Sequence, residues 1–149
     1  MKIAIASDHA GEEYRKEIIK HFTDYNFIDL SPNNTKFDDY PDYAFKVGEA
    51  VVNNDADLGV LVCGTGIGMS IACNKVKGIR CAHITRVIDA EKARTHNGAN
   101  VIAFGSYLDL NLVFDMVEKF INTNDEIEQR HINRINKIIK YESGEYNEL

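Results

Sequence analysis

The chain has 149 residues, 17 lysines and arginines against 23 aspartates and glutamates, and a formal net charge of −6. That length fits one self-supporting domain over residues 1–149, and the acidic balance speaks against general nucleic-acid binding, which rests on cations neutralising phosphates. Cys63, Cys73 and Cys81 form no CxxC pair, so no disulfide framework or zinc site is expected, and no run of 18 apolar residues suggests a membrane span. MKIAIAS meets Asp8 too soon for a signal peptide, and a reducing cytoplasm is the expected setting.

Residues 2–6 read as a first strand carrying Ile3 and Ile5. A helix follows, with Tyr14, Ile18, Phe22 and Tyr25 on one stripe at helical spacing. Residues 27–30 are a second strand, 31–40 a polar loop, and Pro41 suits the first turn of a helix bearing Ala44, Val47, Ala50 and Val51. Residues 58–63 are almost continuously apolar, as a central strand covered on both faces should be. Further strands are expected at 79–84 and 101–104, with helices at 68–76, 87–96, 110–121 and 125–141, and a polar, frayed tail at 142–149.

This βαβ alternation predicts an α/β fold: a five-stranded parallel sheet in a Rossmann-like or flavodoxin-like three-layer sandwich. The expected strand order is 2-1-3-4-5, with ligands bound beyond the C-terminal strand ends at the switch point between strands 1 and 3. Two loops would meet there, SDHAG (7–11) and CGTGIG (63–68).

Gly64, Gly66 and Gly68 alternate in the second loop, but neither register completes G-x-G-x-x-G, and no Gly-Lys-Ser/Thr ends a Walker loop. What is left is a strand-to-helix turn whose backbone N–H groups favour negative charge. A tight turn needing glycine explains any one of the three and is incomplete for all of them. A thiol at a helix N-terminus is a better base because the dipole stabilises its thiolate. For Cys63 that reading stands level with a buried structural cysteine.

Asp8 and His9 end the first strand on two polar residues, and a capping role accounts for Asp8 better than for His9. His96, Asn97 and Gly98 read first as a helix terminus. Their helix runs antiparallel to the strands, so His96 should lie at the sheet end opposite Cys63 and serve a site only in a second subunit. Arg130 and Arg134 share a helical face, read either as a solvated surface with Glu126 pairing Arg130 or as bidentate donors to a phosphate.

Together SDHAG (7–11), DYP (39–41), CGTGIGMSIACNK (63–75), GIR (78–80), HNGAN (96–100), AFGS (103–106) and RHINR (130–134) resemble the type B ribose-5-phosphate isomerase family, which also contains the galactose-6-phosphate isomerase subunits. The segments run in family order and span nearly the whole chain. The resemblance implies aldose–ketose interconversion of ribose 5-phosphate and ribulose 5-phosphate, in the pentose phosphate pathway, without metal or cofactor. It assigns Cys63 as the base moving a proton between C2 and C1, Thr65 as a hydroxyl assisting it, and His96 as the group that opens the sugar ring. Asp8, His9, Tyr40 and Asn97 would contact the sugar, the N–H groups of the 64–68 turn the enediolate, and Arg130 and Arg134 the phosphate. The resemblance also implies a homodimer, or a tetramer of dimers, with sites shared between subunits.

Tyr107 departs from the pattern, standing where many relatives carry an arginine. Three alternatives follow. One is a preference for a six-carbon phosphosugar such as allose or galactose 6-phosphate; the galactose case is weakened because those enzymes use two different subunits. The others are a non-catalytic sugar-phosphate sensor and a nucleotide-binding flavodoxin-like module.

Overall fold

The computed structural model describes residues 1–148. Five strands, β1 (Lys2–Ser7), β2 (Asn26–Asp29), β3 (Leu58–Cys63), β4 (Cys81–His83) and β5 (Val101–Gly105), form one parallel sheet. Between and after them run α1 (Glu12–His21), α2 (Tyr40–Val52), α3 (Ile67–Cys73), α4 (Val87–Asn97), α5 (Leu110–Asn122) and α6 (Gln129–Glu142).

The strand order is β2-β1-β3-β5-β4, not the expected 2-1-3-4-5. Burial explains the exchange. Every residue of β5 (VIAFG) is buried, so it needs a strand on each side, whereas β4 (CAH) is three residues long and partly exposed, suited to an edge. The return from β4 inward to β5 also reverses direction. With right-handed crossovers, that reversal carries α4 to the face of α1, leaving α2 and α3 on the other.

The two faces have different cores. Ile3, Ile5, Val60, Val62, Ile102 and Phe104 pack toward α1, α4 and α5 with Ile18, Ala90 and Met116. Ala4, Ala6, Leu61, Cys63 and Ala103 pack toward α2 and α3 with Val47, Met69 and Cys73. Each fully buried Ile or Phe contributes on the order of 1.5–3 kcal/mol. The small alanines of the second face let α2 and α3 approach the sheet closely.

Four elements are shorter than their sequence patterns. The strand expected at 79–84 is β4, Cys81–His83, because the Ile79 N–H turns back to the Val76 carbonyl and the Arg80 N–H donates to the Asn100 side chain. α1 stops at His21, and Phe22 and Tyr25 pack on the core from the turn beyond it, where Thr23 and Asp24 are poor helix formers. α3 ends at Cys73 because the Asn74 side chain leaves the helix path: its amide donates to the Ser70 and Cys81 carbonyls, and the Cys81 N–H donates back to its oxygen. α6 begins at Gln129 rather than 125, behind an extended Glu128. Of the polar tail, Glu142 closes α6, 143–144 form a turn, and residue 149 lies outside the described residues.

Below the sheet's C-terminal edge, Arg15 is 1% exposed. Burying a guanidinium is costly unless it is paired and hydrogen-bonded. Its Nε lies 3.3 Å from the Asp29 carboxylate, and its Nη1 donates to Ser7 Oγ (3.1 Å), Ser31 Oγ (2.9 Å) and Asn34 Oδ1. This cation ties the end of β1 to the β2–α2 loop.

Candidate functional site

The two loops expected at the switch point do meet. The Asp8 N–H donates to the Val62 carbonyl of β3, and Ala10 lies beside Gly64. Asp8 caps the short 3-10 turn His9–Gly11, its Oδ1 accepting the Ala10 and Gly11 N–H groups at 3.0 and 3.2 Å. Burial pushes its carboxyl up, against the lowering pull of the Gly11 N–H and of His9.

Cys63 ends β3, 5% exposed, with its backbone carbonyl holding the Ser106 N–H at 2.9 Å. Its sulfur accepts the Gly66 N–H at 3.1 Å. Gly66 makes this possible with φ +78°, in the left-handed region, where a Cβ would also sit 2.6 Å from the Phe104 backbone. Thr65 is exposed, its Oγ1 accepting the Ile67 N–H at 3.2 Å, and its carbonyl lies 2.9 Å from His83 Nε2. The face of the Tyr40 ring lies against Gly68, leaving no room for a Cβ there, whereas a Cβ at Gly64 would touch only Ala10 at 3.9 Å. Tyr107 lies over Gly105, its ring filling the space that a Cβ on Gly105 would need, and is 64% exposed.

His9 is held from outside this turn. Its backbone N–H and its Nδ1 both reach Asp38 Oδ1, at 3.0 and 2.7 Å. The hydrogen bond to Asp38 raises the imidazole's pKa, with Asp8 adding to the effect against a small burial cost. Burial alone would raise Asp38, but the bonds from Asn34, His9 and Thr35 outweigh it and hold this carboxyl far below the usual carboxylate range.

The other candidates gather elsewhere. His96 and Asn97 end α4, and the Asn97 carbonyl accepts from Arg80 Nε, just before β4. Asn100 leads into β5, whose register sets Val101 beside Gly59 and Gly105 beside Cys63. Four strand steps separate the two ends, roughly 13 Å at strand rise. His96 therefore stands at the sheet end opposite the Cys63 of its own chain, as its helix direction predicts. It stacks on His131 of α6, with ring centroids 4.1 Å apart. Arg130 and Arg134 are exposed beside it; Arg130 Nε pairs with Glu128 at 2.8 Å rather than with Glu126, and Arg134 has no ion-pair partner among the described residues.

The candidates thus form two clusters. Asp8, His9, Tyr40, Cys63, Gly64, Thr65, Gly66 and Gly68 lie at the C-terminal strand ends, and His96, Asn97, Arg130 and Arg134 at the other. A cleft of ≈ 800 Å³ holds none of these candidates. It opens at the N-terminal strand ends by Asp57, Arg80, Arg94 and Asn100, and its arginines are committed to the carbonyls of Gly98 and Ala99. Three residues outside the candidate set enter the clusters: Asp38, His83 and His131. His131 had a signal in its place between Arg130 and Arg134 in RHINR; Asp38 and His83 had none.

A profile of the family described as "Ribose/Galactose Isomerase" matches residues 3–138. The chain belongs to that family. Among its relatives, ribose-5-phosphate isomerase B of Escherichia coli is 38% identical over 144 residues, 95% of this chain and 96% of that protein. The structure of Clostridium thermocellum ribose-5-phosphate isomerase B superposes with a TM-score of 0.92 at 39% identity, covering 97% of this chain and 99% of that one. The Mycoplasma genitalium ribose-5-phosphate isomerase B, crystallised with bound ribulose-5-phosphate, gives 0.88 at 43%, covering 95% and 96%. The family's three-layer α/β sandwich is the fold described above. Among the described residues, no helix is long and apolar enough to cross a membrane.

Proposed function

We propose that this chain interconverts ribose 5-phosphate and ribulose 5-phosphate, with Cys63 as the base. The observation that carries the reading is the Cys63 sulfur, buried at the end of β3 and accepting the Gly66 N–H at 3.1 Å. Relatives named ribose-5-phosphate isomerase B, one of them holding ribulose-5-phosphate, support the choice of substrate.

The thiolate takes the C2 proton of the open-chain aldose, leaving an enediolate, and returns that proton to C1. The Thr65 hydroxyl, exposed beside the thiol, moves the proton between the two substrate oxygens. Two N–H groups of the turn are already taken, Gly66 by Cys63 and Ile67 by Thr65. The N–H groups of Gly64, Thr65 and Gly68 are the donors of the 64–68 turn left for the developing oxyanion. Asp8, His9 and Tyr40 frame the sugar.

The second cluster serves the site of another copy of the chain. Ile67 and Ile71, one turn apart on α3 beside the thiol, are 52% and 57% exposed, an apolar face suited to a partner subunit. Across that contact, His96 opens the ring, Asn97 contacts the sugar, and Arg130 and Arg134 hold the phosphate. A homodimer, or a pair of dimers, follows from this arrangement.

Cys63→Ala should lower turnover of ribose 5-phosphate by roughly 10²–10⁴-fold, the usual worth of a positioned base; near-wild-type turnover would refute the assignment. Mixing inactive Cys63→Ala and His96→Ala proteins under subunit exchange should restore activity, and no recovery would place each site within one chain. Comparing kcat/KM with allose and galactose 6-phosphates fixes the sugar.

A further inference from the structure

His9 stands at the mouth of the Cys63 turn, yet its ring is bound on one side only. Asp38 Oδ1 is its single ring partner among the described residues, at 2.7 Å from Nδ1. The ring remains 45% exposed, while the Asp38 side chain is 8% exposed. A carboxylate on Nδ1 makes that nitrogen the donor and fixes the ring plane, so Nε2–H points away from Asp38 as a free, charge-assisted donor.

The Asp38 carboxylate is itself over-determined. Oδ1 accepts the His9 N–H as well as the ring, and Oδ2 accepts Asn34 Nδ2 (2.8 Å), the Thr35 N–H (3.2 Å) and the Tyr43 hydroxyl (3.1 Å). Asn34 is in turn clamped by the buried Arg15 on its oxygen and by the Ser7 carbonyl, which its amide reaches at 2.8 Å. A loop that only needed closing would not require a buried cation behind it and a histidine in front of it.

We propose that Asp38 is a positioning residue for His9: with Arg15 and Asn34 behind it, its carboxylate orients the imidazole so that Nε2–H faces the phosphosugar. This inference rests on the proposed isomerase reading for the identity of the ligand, and on geometry alone for the pairing. The charged groups acting on the ring are Asp8, from its own turn, and Asp38, from the β2–α2 loop; both favour the imidazolium.

Asp38→Asn keeps the shape, removes the charge and exchanges one of the two accepting oxygens for an NH2 donor. It should raise KM for ribose 5-phosphate about tenfold, the size of one charge-assisted hydrogen bond, and leave kcat within about twofold. In a His9→Gln background the same substitution should add nothing to KM. NMR of the imidazole nitrogens should show His9 Nδ1 protonated in the unaltered protein, titrating above an ordinary histidine, and titrating lower in Asp38→Asn. Equal KM penalties with and without His9, or a His9 titration indifferent to Asp38, would overturn the proposal. So would an ordinary His9 titration in the unaltered protein, a measurement that does not depend on the variant folding. If ribose 5-phosphate is not turned over, the isomerase reading fails by itself; inorganic phosphate, titrated against the His9 resonances, still tests the pairing.

Discussion

The imidazoles of His96 and His131 stack with centroids 4.1 Å apart and planes 14° from parallel, so α4 and α6 meet through two rings. His131 is 6% exposed, and its Nε2 has no hydrogen-bond partner among the described residues. Burial pushes its pKa down, and His96, Arg130 and Arg134 push it in the same direction.

The folded chain therefore prefers a neutral His131. Its contribution to stability is complete above the unfolded value of 6.5 and is lost as pH falls through the lowered folded value. Urea midpoints taken on either side of that pH should fall on the acid side, and His131→Phe, which keeps the stack and removes the titration, should flatten that part of the profile. His9 has the opposite sign: its raised value gives stability that is present below the same unfolded pKa and lost as pH rises through the folded one.

Gly66→Ala should be severe. A Cβ there meets the Phe104 backbone at 2.6 Å from a left-handed φ of +78°, so a cost of about 2 kcal/mol or more is expected. Gly64→Ala, with only Ala10 at 3.9 Å, should unfold within about 0.5–1 kcal/mol of the original. Paired urea titrations check the contrast.

Arg15→Met should cost about 3 kcal/mol, because it strands Asp29, Ser7, Ser31 and Asn34 without their shared donor. Because Asn34 braces Asp38, this variant should also raise KM at temperatures where it is still folded. Urea unfolding and steady-state kinetics read the two effects separately.

Arg134→Met should leave the melting temperature unchanged, since the side chain is exposed and makes no ion pair among the described residues. On the two-copy reading it should raise KM for ribose 5-phosphate roughly tenfold, with a smaller effect on kcat. Thermal melts and kinetics at fixed salt decide it.

The Cys-Gly-Thr-Gly turn and its meeting with SDHAG were legible because both depend on chain-local signals: an apolar run ending in glycines, and a strand ending in Asp-His. The β4/β5 exchange was not, since two short apolar strands carry no mark of which is central until their neighbours cover them. Asp38 looked like one more acid in a polar loop; its role appears only when Arg15 and Asn34 arrive from elsewhere. α6 starts later than its pattern because 125–127 continue the polar pattern of the helix without joining its hydrogen bonds, the first of which end on the Glu128 carbonyl.

The buried Arg15 network also bears on the order of folding. Its bonds join residues 3 to 29 positions apart, all within the first 43 residues. Cys63, by contrast, finds Gly105 only through a pairing that closes over two intervening helices. Short loops cost less entropy to close. As the chain emerges during synthesis, the support for His9 can assemble first, and the thiol's surroundings are completed only when β5 slots between β3 and β4.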